Sequence, residues 1–473
     1  MHEVMNLSVA LAPSSDAGAR AHLIRADRQE DICFALWVPS TGQARFTALV
    51  QDLILPRGSD RRVHGNASFS ADYFMRAIDF ATSKHMGLAL MHSHLSPGWQ
   101  DLSRDDYAAE AGHAGAVAAA TGHPFLGMTL GTDGSWSARY WHRRAPREYV
   151  PNWCSSVRVA GQRLALTYHP SLSPPSEATP ALTRTIGVWG QKGQGQLSRL
   201  HVGIVGLGSV GSIVSESLAR MGIERFTLID YDILETINLD RTLGATRRDV
   251  GALKIDIAER TALASATASA IRILKFPASV VEDVGYRAAL DCDVLFCCVD
   301  RPWPRRVLNH IAYAHLIPVI DGGILVRVRK DRLVGADWHV HAVGPARRCL
   351  ECWKAFDPSL VGVERDGFLD DPSYLSQLDP SHILLRNENV FPFSTSVAAF
   401  EVLQLAALVV GPIHNLGDQN YHYTTGTLDI TNDRGCDESC LYPTIVGTGD
   451  SHYTVTGIDH GAAKRRAQST EAS

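Results

Sequence analysis

The stretch Leu200–Lys254, LHVGIVGLGSVGSIVSESLARMGIERFTLIDYDILETINLDRTLGATRRDVGALK, constrains this 473-residue chain more than any other. An apolar run over Val202–Val205 meets Gly206, Gly208 and Gly211. An amphipathic segment follows to Met221, and a second apolar run ends at Asp230. The order is strand, tight turn, helix, strand: a βαβ unit with a phosphate-sized gap at its first turn. Gly206 lets the chain turn sharply, Gly208 lets backbone N–H groups approach an anion, and Gly211 lets the helix pack closely on the strand. The helix N-terminus adds its partial positive charge. Asp230, at the tip of the second strand and about 20 residues past the turn, is placed to accept from ribose hydroxyls. This much specifies a nucleotide and would also suit a dehydrogenase.

The residues beyond Asp230 narrow the choice. Asp232, Asn238, Arg241 and Lys254 come in quick succession. Two cations and polar partners beside a phosphate turn suit cleavage of a triphosphate, in which charge develops on bridging oxygens, whereas hydride transfer does not call for them. The stretch resembles the adenylating domain of E1-like enzymes of the ThiF and MoeB type, a family that includes ubiquitin-activating enzymes and bacterial activators of sulfur-carrier proteins. Its D-x-D, N-L-x-R and D-x-G-x-x-K elements are met by Asp230 and Asp232, by Asn238-Leu239-Asp240-Arg241, and by Asp249-Val250-Gly251-Ala252-Leu253-Lys254. Arg184, Gly190, Gly193 and Gln194 match the family's lead-in. Asp300, Arg305 and Asn309 match its downstream segment, with Arg301 where the family has Asn.

The resemblance implies ATP and Mg2+ held by the glycine turn, Asp230, Asp232, Asn238, Arg241, Lys254, Asp300 and Arg305. It implies catalytic roles for Arg184, Arg241, Lys254 and Asp300, and a homodimer across which Arg184 reaches the phosphates. The implied reaction is adenylation of the C-terminal glycine of a ubiquitin-like protein, with an E2-like protein as a further partner.

The first part of the chain carries a different chemistry. Ile32–Val38 reads as a buried strand beginning just after Glu30, and Ala71–Thr82 has the apolar spacing of a helix face. Gly87–Met91 reads as a strand delivering His92-Ser93-His94, followed by Ser103 and by Asp106 at the start of a helical stretch. Alternation puts His92 and His94 on one side, and Asp106 can supply a carboxylate oxygen. Three protein ligands leave a fourth position for water, as in catalytic zinc sites; Glu30 is then the candidate base and Ser103 a donor to the oxyanion. Either fragment alone would also suit two satisfied strand histidines and a helix cap.

Together these residues resemble the JAMM (JAB, MPN+) metallopeptidase signature, whose members cleave bonds after the C-terminal glycine of ubiquitin-like proteins. Eight residues separate His94 from Ser103 where seven is commoner, and Leu95 stands where Pro is usual. Phe125–Leu130 and Ser137–Trp141 read as the closing strands.

Further on, Cys349-x2-Cys352 and Cys436-x3-Cys440 form two short-spaced pairs, suiting a structural zinc bound by four thiolates; a C-x-x-C redox pair would leave the second pair unexplained. Pro318–Gly323 reads as a strand ending in a glycine turn. Trp353–Phe393 contains no cysteine, although many E1-like proteins carry an acceptor cysteine in this crossover segment. Ser394-Thr395-Ser396 reads as the cap of a helix over Val397–Leu408.

The expected fold class is α/β: a JAB/MPN-like domain over 1–148, a Pro/Ser-rich linker over 149–180, and a Rossmann-like E1 domain with a mainly parallel sheet and structural zinc over 181–460. A disordered tail is expected over 461–473. A net charge of −5 gives no footprint for nucleic acid. Val397–Val410, interrupted by Glu401 and Gln404, falls short of a bilayer span, and the N-terminus lacks a basic signal-peptide region. The cytoplasm is the expected location. Two further readings stay open: an adenylyltransferase for sulfur carriers or small peptides, and a non-enzymatic scaffold for a ubiquitin-like protein.

Overall fold

In a computed structural model the described residues are 5–64, 66–177, 179–377, 388–411, 416–431 and 435–452. The expected tail over 461–473 lies outside them. The chain divides into two units: Met1–Pro175 with Ala314–Leu316 and Ile445–His452, and the remainder from Ser176 onward.

The first unit is built on a nine-stranded mixed sheet. In chain order its elements are β1 (Asn6–Leu11), α1 (Pro13–Leu23), β2 (Ile32–Thr41), β3 (Arg45–Ile54), the small hairpin β4 (Arg61–His64) and β5 (Asn66–Phe69), α2 (Ala71–Ser83), β6 (Gly87–Ser93), α3 (Arg104–Thr121), β7 (Phe125–Leu130), β8 (Trp136–Ala145), β9 (Glu148–Trp153), β10 (Ser156–Ala160) and β11 (Leu164–Tyr168). The sheet order is β11-β10-β1-β3-β2-β6-β7-β8-β9. Near-continuous apolar runs such as ICFALWV in β2 and GLALM in β6 bury both faces. Ala19 and Leu23 of α1 pack into one core layer with Val9, Trp37, Met91 and Tyr140. Tyr73 and Ile78 of α2 and Ala114 and Val117 of α3 pack into the other with Phe34, Leu90 and Trp141.

Residues 148–168 are therefore not an extended linker. β9, β10 and β11 complete the sheet, β10 pairing parallel with β1 and β9 antiparallel with β8. The prolines that suggest a linker begin only at Pro170, and the first unit ends at Pro175. The strand signal in EYVPNW and SVRVA is obscured by Pro151 and by interspersed polar residues.

One ion pair lies wholly inside this unit. Glu110 of α3 and Arg139 of β8 are both fully buried. Arg139 Nε donates to Glu110 Oε2 at 2.9 Å, its Nη2 donates to Oε1, and Trp141 Nε1 donates to Oε2 at 2.6 Å. A Cβ at residue 127 would fall 2.1 Å from Glu110 Oε2, so the glycine there makes room for the pair.

The second unit comprises α4 (Thr183–Ser198), β12 (His201–Val205), α5 (Ser209–Arg220), β13 (Arg225–Ile229), α6 (Lys254–Ser265), β14 (Arg272–Phe276), α7 (Asp283–Leu290), β15 (Val294–Cys297), α8 (Pro302–Ala314), β16 (Val319–Arg329), β17 (Arg332–Val343), α9 (Ser359–Arg365), α10 (Pro372–Leu375), α11 (Phe391–Val409), β18 (Asp418–His422) and β19 (Thr427–Thr431). Its sheet order is β14-β13-β12-β15-β16-β17-β18-β19. The first five strands are parallel and the last three join antiparallel, so the sheet is mixed rather than mainly parallel. Strand order reverses between β12 and β15, and the crevice outside the strand ends at such a switch point is where open α/β sheets bind ligands.

Two local expectations change here. Gly322-Gly323 does not end a strand, because β16 runs on to Arg329 in a long hairpin with β17. Ser394, Thr395 and Ser396 lie inside α11 rather than capping it, the helix starting at Phe391 with Pro392 in its first turn. By length and apolar composition α11 is long enough to cross a bilayer; Glu401 and Gln404, which interrupt it, are buried in this unit.

Arg139→Met would leave Glu110 charged and unpaired in the core. The expected cost is about 3–5 kcal/mol, read as a lowered urea midpoint, with most of it recovered in Glu110→Leu/Arg139→Met.

Candidate functional site

At the switch point, Gly206 has φ of 89° and its N–H donates to Ile229 O at 3.0 Å, joining the end of β12 to β13. A Cβ at residue 211 would sit 1.9 Å from Gly206 O, so α5 starts pressed against the turn, while the space over Gly208 is open. Asp230 is buried; its Oδ2 accepts from Leu207 N at 2.6 Å and its Oδ1 from Asp232 N at 2.7 Å. Burial pushes Asp230 up to about 6, against the pull of Lys254 and with a further push from Asp232. Lys254, first residue of α6, donates through Nζ to Asp232 Oδ2 at 2.7 Å and through its N–H to Asp232 O at 2.9 Å. Asp232 thus points the lysine back toward the turn.

The other expected residues fall into two groups. Asn238 Oδ1 accepts from Glu235 N, closing a short turn, and Arg241 donates to Ile237 O at 2.8 Å and to Asp240 at 3.0 Å. Asp300 is exposed just beyond β15, and Arg184 is exposed on α4, which kinks at Gly190. Arg305, by contrast, is buried. Its guanidinium donates to Val299 O at 3.1 Å, Ala355 O at 2.6 Å and Gly322 O at 3.0 Å, so it holds backbone together instead of facing the turn. Asn309 is likewise internal, accepting from Leu350 N at 2.9 Å. Arg301, the departure from the family pattern, reaches Asp370 at 3.0 Å. Beside it Glu364 accepts from Trp303 N at 2.7 Å, and burial pushes this carboxyl up to about 7. No sequence pattern points to Asn389, yet its Nδ2 donates to Ser209 at the start of α5 and to Ser394 in α11.

The four cysteines converge. Cys349 and Cys440 Sγ are 3.7 Å apart and all four Sγ atoms lie within 4.8 Å of one another. A tetrahedron with bonds of about 2.3 Å has edges of about 3.8 Å, so the set fits zinc. Backbone N–H groups of Cys349, Cys352 and Asp437 donate to sulfurs of the set, as thiolates require. Hydrogen bonding, led by Cys349, lowers Cys436 to about 5.

In the first unit His92 and His94 Nε2 are 3.2 Å apart, and Asp106 lies 3.2 Å from His94 and 3.5 Å from His92. Bonds of about 2.0–2.1 Å in a tetrahedron give edges of about 3.3 Å, so this set also fits zinc. The helix-cap alternative holds at the same time. Ser103 Oγ accepts from Asp106 N at 3.1 Å and Asp106 Oδ2 accepts from Ser103 N at 3.0 Å, and this capping box turns the carboxylate toward the histidines. Burial and the charge of Arg139 push His92 down to about 3, leaving a neutral imidazole.

Glu30 comes to the same place through pairing of β2 with β6, in which Ile32 stands opposite His92. Its neighbour Asp31 fixes it. Asp31 N donates to Ser93 Oγ at 3.0 Å, Ser93 N donates to Asp31 O at 3.1 Å, and Arg61 and Arg25 hold the Asp31 carboxylate at 2.9 and 3.1 Å. The acidic pair ahead of an apolar run is the available signal for Asp31. Burial raises Glu30, with His94 opposing and Asp106 adding to the effect.

Fold and site thus define the second unit as a nucleotide-binding α/β domain whose phosphate turn is flanked by a carboxylate-held lysine. A model of the ThiF family matches residues 182–432, more than half of the chain, and the chain belongs to that family. It is 31% identical over 144 residues to tRNA threonylcarbamoyladenosine dehydratase of Escherichia coli (strain K12), covering 29% of this chain and 52% of that protein. It is 33% identical over 135 residues to molybdopterin-synthase adenylyltransferase of the same organism, covering 28% and 53%. To adenylyltransferase and sulfurtransferase MOCS3 of Mus musculus it is 30% identical over 165 residues, covering 34% of each. The chain thus spans about half the length of these relatives or less. Among solved structures, E. coli MccB with ATP aligns at a TM-score of 0.42 and 19% identity, over 56% of this chain and 74% of that one.

If the four cysteines hold zinc, Cys440→Ser should lose about one zinc equivalent per chain through gel filtration, measured by mass spectrometry of the metal, and should lower the thermal midpoint.

Proposed function

We propose that this chain adenylates the C-terminal carboxylate of a ubiquitin-like protein ending in glycine. Membership of the ThiF family, together with Lys254 and Asp232 set against the glycine turn, carries this reading. Backbone N–H groups of the turn and the N-terminus of α5 cradle the phosphates of ATP. A carboxylate oxygen of the partner bonds to the α-phosphorus as the bond to the bridging oxygen of the β-phosphate breaks, so pyrophosphate leaves and an acyl-adenylate remains. Lys254 and Arg241 offset charge on the phosphates, and Arg184 adds to this across a homodimer. Mg2+ at Asp300 would neutralise phosphate charge further. With no cysteine in Trp353–Phe393, the adenylate is passed to an outside nucleophile, an E2-like protein being one recipient.

The first unit acts, in this proposal, as a zinc (iso)peptidase on bonds to the same class of terminus. Its support is the convergence of His92, His94 and Asp106 with Glu30 alongside. Zinc there would supply a water activated near neutral pH. The Glu30 carboxylate takes up a proton and returns it to the leaving amine. Ser103 Oγ accepts from Asp106 N with a lone pair, which leaves its O–H to donate to an oxyanion. A second reading, adenylation of a sulfur carrier or peptide, is favoured by the same missing cysteine and by the adenylyltransferase and sulfurtransferase names among the relatives.

ATP–pyrophosphate exchange against a panel of glycine-ended ubiquitin-fold proteins tests the first part. Exchange is expected with one partner and should fall about 100-fold or more in Asp300→Ala; a sulfur carrier as that partner would select the second reading. For the first unit, Glu30→Gln should slow cleavage of a carrier fusion about 10²–10⁴-fold while zinc content stays unchanged.

A further inference from the structure

The hairpin of β16 and β17 assembles a third set of metal-ligand side chains, which neither activity above uses. Asp321 pairs with His341 and Gly323 pairs with His339, and alternation puts all four positions on one face. A Cβ at residue 323 would lie 2.5 Å from His339 Cε1, so the glycine leaves room for that ring. One Asp321 carboxylate oxygen and one ring nitrogen from each histidine lie within 4.8 Å of one another, with His339 Nε2 3.5 Å from Asp321 Oδ2.

Asp321 is 0% and His341 2% exposed. Both Asp321 oxygens and the Nε2 atoms of His339 and His341 are buried with no hydrogen-bond partner among the described residues. Polar atoms buried this way cost about 1–3 kcal/mol each, more for a charge, unless something meets them. Arg305 fills that role only in part: its Nε pairs with Asp321 Oδ1 at 3.4 Å and offsets the carboxylate's charge, while the guanidinium's hydrogen bonds go to the carbonyls of Val299, Ala355 and Gly322. Its charge therefore fixes which oxygen faces the imidazoles. Glu401 of α11, the other carboxyl nearby, is turned toward Cys298 Sγ at 3.7 Å.

We propose that Asp321, His339 and His341 form a binding site for a zinc-class divalent transition-metal ion, ligated by Asp321 Oδ2 and the two Nε2 atoms. Two imidazoles and one carboxylate are a ligand set that such ions accept with a further position left open. The His339 side chain, 31% exposed, provides the entry path. The ion would meet three buried polar atoms at once, Asp321 Oδ2 and the two Nε2 atoms, while Oδ1 stays toward Arg305.

The test uses the full chain carrying His92→Ala and His94→Ala, which removes the other His-His-Asp set. This protein is loaded with zinc chloride, freed of excess metal by gel filtration and compared with the same chain also carrying His339→Ala. The expected result is a loss of about one zinc equivalent per chain at unchanged circular dichroism. With cobalt in place of zinc, the four-cysteine set contributes its thiolate bands equally to both proteins, and the difference spectrum, parent minus His339→Ala, should show weak visible bands free of thiolate charge transfer. Equal zinc in both proteins overturns the proposal. If His339→Ala fails to fold, the isosteric Asp321→Asn decides by the same measure. No ATP is turned over, so failure of the adenylation reading would leave this result untouched.

Discussion

The carboxylate of Asp230 is the joint on which the second unit's site depends. One oxygen takes the N–H of Leu207 in the glycine turn and the other takes the N–H of Asp232 beyond β13. A single side chain thereby fixes the turn after the first strand and the segment after the second. Asp232, so fixed, sets Lys254 at the head of α6. Shortening or neutralising Asp230 would loosen three elements together, whereas losing a cation from the rim would remove only its own charge. Burial of Asp230 makes its ionised form costly, and Lys254 is the counter-charge that offsets this.

The first unit reaches an analogous result by strand pairing. Three parts of the chain converge there, and each is held by a separate device: Glu30 by the clamp on Asp31, His92 and His94 by alternation at the end of β6, and Asp106 by the Ser103 capping box. Behind His92 the order continues inward. Thr129 Oγ1 lies 3.3 Å from His92 Nε2 and accepts from Arg139 Nη1 at 2.7 Å, and Arg139 is locked to Glu110. The buried ion pair is therefore the floor of the cluster of His92, His94 and Asp106 as well as part of the core.

How legible each feature is in the sequence depends on how local its cause is. The H-x-H, S-x-x-D and C-x-x-C elements show themselves because a strand, a helix cap and a tight turn each place residues at fixed short spacing. The glycine turn is legible for the same reason: Gly211 is required by the approach of Gly206 O five residues earlier and Gly206 by its own positive φ, although Gly206 also packs against Cys298, far away in the chain. The strands β9 to β11 are hidden because their apolar alternation is weak and β10 pairs with β1, far away in the chain. Arg305 and Asn309 match a pattern, but the pattern does not say whether a polar side chain faces a ligand or the protein's own backbone. The Asp321 set is illegible because it depends on the register of a long hairpin, where the glycine pair suggests a turn.

Arg301 illustrates what such a departure can mean. An asparagine beside Asp300 offers a neutral amide; an arginine must find a counter-charge, and it finds Asp370 in the segment that follows the first cysteine pair. Glu364 from the same segment accepts from the first turn of α8. That segment is thus tied by charge and by hydrogen bond to the residues flanking Asp300.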